Sequence, residues 1–134
     1  MTTLPKNMED VIRQWPDPAQ SRFADIRETV HQVAQRAQIG TLVETLKWGQ
    51  PSWLPKRPRI GTTLRCDWQA HEPDRLALFV HCQTTLVETL RTLYPKSFTF
   101  EGTRALKLAL DEPLPMDAID HCAFLTLTYH RKNT

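Results

Sequence analysis

The order of hydrophobic and polar residues predicts two helices at the start of the chain. A short helix is expected over 7–15, and a longer one begins at Pro18 or Ala19 and ends at Gln38. In the longer segment the charged residues, Arg27 among them, are expected to lie off the apolar stripe. That stripe, at helical spacing, consists of Phe23, Ile26, Val30, Val33, Ala34 and Ala37.

In the middle of the chain, hydrophobic and polar residues alternate as they do in short strands. Extended segments are predicted near Thr45–Trp48, over 61–68 and over 76–81, and a hairpin is predicted from 97–100 and 105–110. Between the first two segments, Gly49-Gln50-Pro51 is typical of a break.

Two more helices are predicted in the second half. One begins after Thr85, which forms a capping box with Glu88, and ends before Pro95. Its buried stripe is expected to be Leu86, Leu90, Leu93 and Tyr94. The other helix follows Pro113 and Pro115. These elements predict an α+β fold in which helices cover an antiparallel sheet of about five strands.

One hexapeptide occurs twice. Thr41–Leu46 and Thr85–Leu90 both read Thr-Leu-Val-Glu-Thr-Leu. The first copy alternates like a strand, yet Thr41 and Glu44 also fit a capping box. The repeated hexapeptide reflects either a duplicated unit or a coincidence. Because there are only two copies and their flanking sequences differ, coincidence is favoured.

Length and composition predict a single domain, 1–134, in which 1–17 form an N-terminal extension or a short helix. The 134 residues are 40% hydrophobic and 24% charged, a globular composition. Lys and Arg number 17 against 15 Asp and Glu, a net charge of +2, so a nucleic-acid partner is not favoured. The oligomeric state is left open.

The expected location is the cytoplasm. The start MTTLPKNMED has no basic, then apolar, signal pattern. No apolar run approaches the roughly 20 residues of a membrane helix. Three cysteines, an odd number without an export signal, favour reduced thiols over a disulfide framework.

Five segments in order resemble one family. Lys-Trp-Gly-Gln-Pro is the most specific, since Trp, Gly and Pro rarely recur in that order. The segments are Lys47–Trp53, Gly61–Arg65, Phe79–Thr85, Phe100–Ala105 and Leu127–Arg131. From about Phe23 to Lys132 the chain therefore resembles the YdhG-like family, the bacterial domain of unknown function 1801. The resemblance implies a compact α+β domain, similar to frataxin in outline.

The resemblance also implies an alternative function, because some members are described as frataxin-like iron chaperones. Frataxin-type iron binding uses exposed acids on the first helix. Here Asp25 and Glu28 stand among Arg22, Arg27 and Arg36, which repel a cation. Iron is expected only through the resemblance, and no other cofactor or metal site is predicted.

The favoured hypothesis is a non-enzymatic protein that binds a small ligand or anion. Pockets of this kind are apolar with a few converging polar groups. The candidate residues are Trp48, Gln50, Pro51, Trp53, Arg65, His81, Arg104 and Tyr129. The alternative is that Trp48 and Trp53 belong to the core and that Pro51 fixes a turn.

A third hypothesis is a thiol-dependent enzyme that uses Cys82 and a histidine. Cys82 precedes a predicted helix, which would favour its thiolate. Its neighbour His81, however, points to the other face if both lie on a strand, so the base has to come from another element. His121-Cys122 invites a metal interpretation, but buried thiols and hydrogen-bonded histidines are favoured. The basic run 56–59 is expected to be a solvated loop.

Overall fold

The computed structural model describes residues 3–131, which form four helices and a six-stranded sheet. Residues 1, 2 and 132–134 of the predicted domain lie outside the described residues. The elements are α1 Lys6–Ile12, α2 Asp17–Arg36, β1 Leu42–Lys47, β2 Gln50–Pro55, β3 Leu64–Trp68, β4 Arg75–Phe79, α3 Leu86–Leu93, β5 Thr99–Glu101, β6 Ala105–Ala109 and α4 Met116–Leu127. All strands pair antiparallel in the order β1-β2-β3-β4-β6-β5. The α+β prediction is confirmed.

The helices cover one face of this sheet. Alternate strand residues, such as Trp53, Cys66, Leu78 and Leu106, share a hydrophobic core with the apolar stripe of α2. The intervening residues point the other way and lie outside that core. We call this second surface the open face; it carries Gln50, Ser52, Arg65, Asp67, Ala77, Phe79, Ala105 and Lys107.

Strand β2 was not predicted, because it contains two prolines and a glycine precedes it. Pro51 pairs with Leu46 of β1, and Pro55 pairs with Leu42. On the other side, the pairing with β3 is confined to Ser52 and Trp53. No carbonyl of β1 or β3 therefore needs a hydrogen bond from the backbone nitrogen of Pro51 or Pro55. The strand accommodates both prolines without losing a hydrogen bond of the sheet.

Two predicted helix faces need correction. Arg27, expected off the apolar stripe, is 8% exposed and binds Glu44 of β1. Leu93, expected in the buried stripe of α3, is 50% exposed, because the helix ends there and Val87 supplies the buried contact instead.

The repeated hexapeptide adopts two structures. Its first copy forms β1, the predicted extended segment near Thr45–Trp48, although Trp48 itself lies in the following turn. The second copy spans the start of α3. The repeated hexapeptide is therefore not a duplicated structural unit.

Gly61 is where helix α4 meets the loop before β3. A Cβ atom at this position would collide with the backbone of Leu127. The contact is tied by the Thr62 N–H, which donates to the Thr126 carbonyl at 2.9 Å. Only glycine allows the two backbones to come this close.

Candidate functional site

Arg65 is held in place on the open face. Its Nη1 donates to Oε1 of Gln50 at 3.0 Å, and Nε2 of Gln50 donates to Oδ2 of Asp67 at 3.1 Å. The guanidinium carbon lies 5.5 Å from the ring centre of Phe79, a cation–π contact. Contacts from both neighbouring strands, with Gln50 of β2 and Phe79 of β4, thus hold the Arg65 side chain in one orientation.

Arg104 lies in the turn between β5 and β6, close enough to act on Arg65. Burial, and next the charge of Arg104, lower the pKa of Arg65. The Arg104 carbonyl accepts the N–H of Val80 at 2.9 Å, which fixes its backbone beside β4. Within 3–131 no side chain hydrogen-bonds or ion-pairs with its exposed guanidinium. We call Arg65 and Arg104 the arginine pair.

A cavity of about 600 Å³ opens beside Arg104. Its walls include Gln69, His71, Phe79, Cys82, Arg104 and Lys107. Lys107 does not add free positive charge, because it pairs with Glu72 and, at 3.0 Å, with Glu101. Arg104 is thus the cation of the cavity wall without a carboxylate partner among the described residues, and Glu101, the partner of Lys107, lines the wall as well.

The predicted site residues fall into separate groups. Gln50, Arg65 and Arg104 come together on the open face. Pro51 and Trp53 are buried on the helix-covered side, where Trp53 stacks on Phe23 with ring centres 5.6 Å apart. These two residues therefore belong to the core rather than to the cavity rim.

Trp48 occupies the two-residue turn between β1 and β2 and is 89% exposed. It does not line the cavity that contains Arg104. Its backbone has a φ of 55°, and the next residue, Gly49, has a φ of 75°. Two positive φ values in a two-residue hairpin turn are typical of type I′.

His81 and Tyr129 line a different, smaller cavity of about 210 Å³. The Tyr129 hydroxyl accepts the N–H of Thr85 at 3.0 Å, and hydrogen bonding by Thr85 lowers the pKa of Tyr129. Nδ1 of His81 accepts the N–H of Gln83 at 3.1 Å. These two predicted residues thus share a site at the start of α3, apart from the cavity beside Arg104.

Sequence reasoning missed Phe79, Asp67 and Lys107 as neighbours of the arginine pair. Asp67 and Arg65 are two residues apart, so strand periodicity alone puts them on one face. Phe79 is found only from the pairing of β3 with β4, where it lies opposite Arg65. Such cross-strand neighbours need the sheet order, which no local pattern reveals.

The three cysteines differ in environment. Cys66 and Cys122 are buried; burial raises the pKa of both thiols, that of Cys122 to about 12. Cys82 is exposed and shares the cavity with His71. The thiol-enzyme hypothesis keeps Cys82 as its nucleophile and stays a prediction.

His121, the residue before Cys122, forms a hydrogen bond with Tyr94. Nδ1 of His121 lies 2.7 Å from the Tyr94 hydroxyl. Among the described residues, no group of three or more His, Cys, Asp or Glu side chains is placed to hold a metal ion. Iron delivery rests on the family resemblance alone and also stays a prediction.

Fold and site together define a class: an α+β protein whose helix-covered sheet carries an arginine pair and a cavity on its open face. No family model, curated protein or solved structure matches the chain. The YdhG-like resemblance accordingly remains a prediction. Over residues 3–131, no helix has both the length and the apolar character to cross a membrane.

Proposed function

We propose that this protein binds a small anionic ligand, a phosphate or carboxylate compound, in the cavity on the open face, and that it does so without catalysis. The observation that carries the proposal is the arginine pair. Arg104 lines the cavity, its charge acts on the neighbouring Arg65, and its guanidinium has no partner among the described side chains. An anion that accepts hydrogen bonds from both would relieve this repulsion.

The surroundings of the arginine pair support the proposal. Gln50 and Phe79 hold Arg65 in one orientation, so little side-chain freedom is lost on binding. The volume of about 600 Å³ lies within the range of small-molecule sites. The Phe79 ring offers an apolar surface for the uncharged part of the ligand.

The proposed setting is the cytoplasm. Three unpaired cysteines, one of them exposed, are suited to a reducing compartment. A net charge of +2 does not favour nucleic acid as the partner.

Isothermal titration calorimetry with inorganic phosphate, phosphorylated metabolites and small carboxylates tests the proposal. We expect saturable binding of at least one of them. Arg104→Ala should weaken it about tenfold or more, since a hydrogen bond to a charged group contributes about 1.5–3 kcal/mol. Arg65→Gln should weaken it similarly.

The matched control is Arg57→Ala. Arg57 is an exposed arginine of the loop after β2, so its removal changes the net charge by the same amount. Equal losses in Arg57→Ala and Arg104→Ala would show a general charge effect and would contradict the proposed site. Absence of saturable binding across the panel would refute anion binding itself.

A further inference from the structure

The wall of the cavity beside Arg104 carries charges of both signs. Glu101 is the last residue of β5, and Arg104 lies in the turn that leads to β6. Both side chains are exposed, and both line the cavity. A ligand in this cavity therefore lies beside a carboxylate and a guanidinium that belong to one short turn.

Glu101 and Arg104 do not neutralise each other. No hydrogen bond or ion pair joins their side chains, although only Gly102 and Thr103 separate them in the chain. Glu101 is paired through its Oε2 with Lys107 at 3.0 Å, and within residues 3–131 its Oε1 has no partner. Each of the two opposite charges thus keeps hydrogen-bonding capacity for a bound molecule.

The carboxylate of Glu101 is compensated less fully than that of Glu72. Lys107 is shared between the two carboxylates, but Glu72 also has Arg75 at 3.8 Å. Among the described residues, Lys107 is the one cation within ion-pair distance of Glu101, whose side chain is 53% exposed. A cationic group on the ligand would act on Glu101 as Arg75 acts on Glu72.

The size of the ligand follows from a row of residues across three strands. Phe79 of β4 pairs with Ala105 of β6, which pairs with Glu101 of β5. Neighbours in such a row lie about 5 Å apart, so Phe79 and Glu101 are separated by about 10 Å across the small alanine side chain. A molecule of the size of one amino acid contacts both ends of this row.

We infer that the ligand of this cavity is a zwitterion, an amino acid with an apolar side chain. Its carboxylate binds Arg104, its ammonium group donates to Oε1 of Glu101, and its side chain packs on Phe79. This inference rests on the proposed anion binding and narrows it to amino carboxylates. A carboxylate without an ammonium group also binds Arg104, but it brings a second negative charge close to Glu101.

Isothermal titration calorimetry with matched pairs of ligands tests the inference. The pairs are leucine with 4-methylpentanoate and phenylalanine with 3-phenylpropanoate, in which the acid lacks only the amino group. In at least one pair we expect the amino acid to bind about tenfold more tightly, because a hydrogen bond between charged groups is gained. The amines 3-methylbutylamine and 2-phenylethylamine, which lack only the carboxylate, should also bind at least about tenfold more weakly than the amino acid.

Two variants separate the roles of the charges. Glu101→Gln should weaken binding of the amino acid about tenfold and leave binding of the matched acid unchanged, which also shows that its cavity is intact. Arg104→Ala should weaken both members of a pair by the same factor. Glu112→Gln is the matched control, since Glu112 is an exposed glutamate in the turn after β6, outside the cavity wall. It should leave the preference for the amino acid unchanged.

The inference and the proposed function fail by different results. If the acids bind as tightly as the amino acids in both pairs, the zwitterion is refuted while anion binding stands. If no amino acid, acid or phosphate binds, both are refuted. Equal losses for both members of a pair in Glu101→Gln, or the same loss of preference in Glu112→Gln, would overturn the role of Glu101 as the partner of the ammonium group.

Discussion

At the residue scale, Glu44 is the polar centre of the fold. Its side chain is 7% exposed and accepts hydrogen bonds from Nε and Nη2 of Arg27 at 2.7 and 2.8 Å. Nε1 of Trp53 donates to it at 2.9 Å, and Nε2 of His31 lies 3.0 Å away. One carboxylate thereby joins α2, β1 and β2, and its loss would leave Arg27 buried without its main counter-charge.

Glu44→Gln should therefore destabilise the protein by about 3 kcal/mol at neutral pH. Burial alone would raise the pKa of Glu44, but hydrogen bonds, first that from Arg27, lower it from 4.5 to about 2. A depressed folded-state pKa gives stability that is complete above pH 4.5 and is lost as the pH falls toward about 2. The difference between wild type and variant in urea unfolding should shrink over that window.

The control for this prediction is Glu9→Gln. Glu9 also binds an arginine, Arg13, but on the exposed surface of α1. We expect a loss below about 0.5 kcal/mol there. A Glu44→Gln effect equally small, or one that does not change with pH, would contradict the role assigned to Glu44.

At the element scale, the repeated hexapeptide shows where local pattern stops deciding structure. Its leucines are four residues apart, a spacing that puts both on one face in a helix and in a strand alike. The tertiary contacts of each copy decide whether it forms a strand or a helix. The first copy runs into the Trp48-Gly49 turn and buries Glu44 on Arg27, whereas the second exposes Glu88 and buries Leu86 and Leu90.

The turn after β1 makes a prediction about Trp48. A φ of 55° is unfavourable for tryptophan and common for asparagine. Because Trp48 is 89% exposed, its removal loses few contacts. Trp48→Asn should stabilise the protein by about 0.5–1 kcal/mol.

The measurement is urea unfolding of Trp48→Asn and of the unchanged chain. Gly49→Asn is the comparison, because asparagine replaces glycine at the other positive-φ position and should give no gain. A loss of stability in Trp48→Asn would mean that Trp48 is retained for the fold of the hairpin. A gain would mean that the fold of the hairpin does not need Trp48.

The close contact between α4 and the loop before β3 gives a prediction at Gly61. Gly61→Ala should destabilise by more than about 2 kcal/mol, because the added methyl meets the backbone near Leu127 and helix α4 has to shift. Gly40→Ala is the comparison. Nothing lies within 4 Å of a Cβ there, so only the strain of its φ of 80° remains, about 1–2 kcal/mol. Equal effects in circular-dichroism melts would argue against the backbone contact.

At the scale of the whole molecule, periodicity predicted the types of most elements, while the order of the strands came only from the structure. β2 escaped prediction because the effect of Pro51 depends on where the neighbouring strand begins to pair. Likewise, sequence picked out Gln50, Arg65 and Arg104 individually, but sheet pairing separates them from Pro51 and Trp53. Local patterns specify faces, whereas long-range pairing specifies which residues of a face become neighbours.

The arginine pair has a consequence for the stability of the whole fold without ligand. Burial and the charge of Arg104 lower the pKa of Arg65, and the charge of Asp67 acts in the opposite direction, so the repulsion from Arg104 is a cost that the ligand-free protein carries. Arg104→Ala should therefore raise the free energy of unfolding by about 0.5 kcal/mol at low ionic strength.

The same gain should vanish in about 1 M sodium chloride, where charges are screened within roughly 3 Å. Arg57→Ala, an exposed arginine outside the pair, should show neither the gain nor the salt dependence. Urea unfolding at both salt concentrations measures these differences. If Arg104→Ala were destabilising at low salt, Arg104 would serve the fold. A salt-sensitive gain combined with weaker anion binding would instead mean that stability is given up at this position so that a ligand can supply the missing charge.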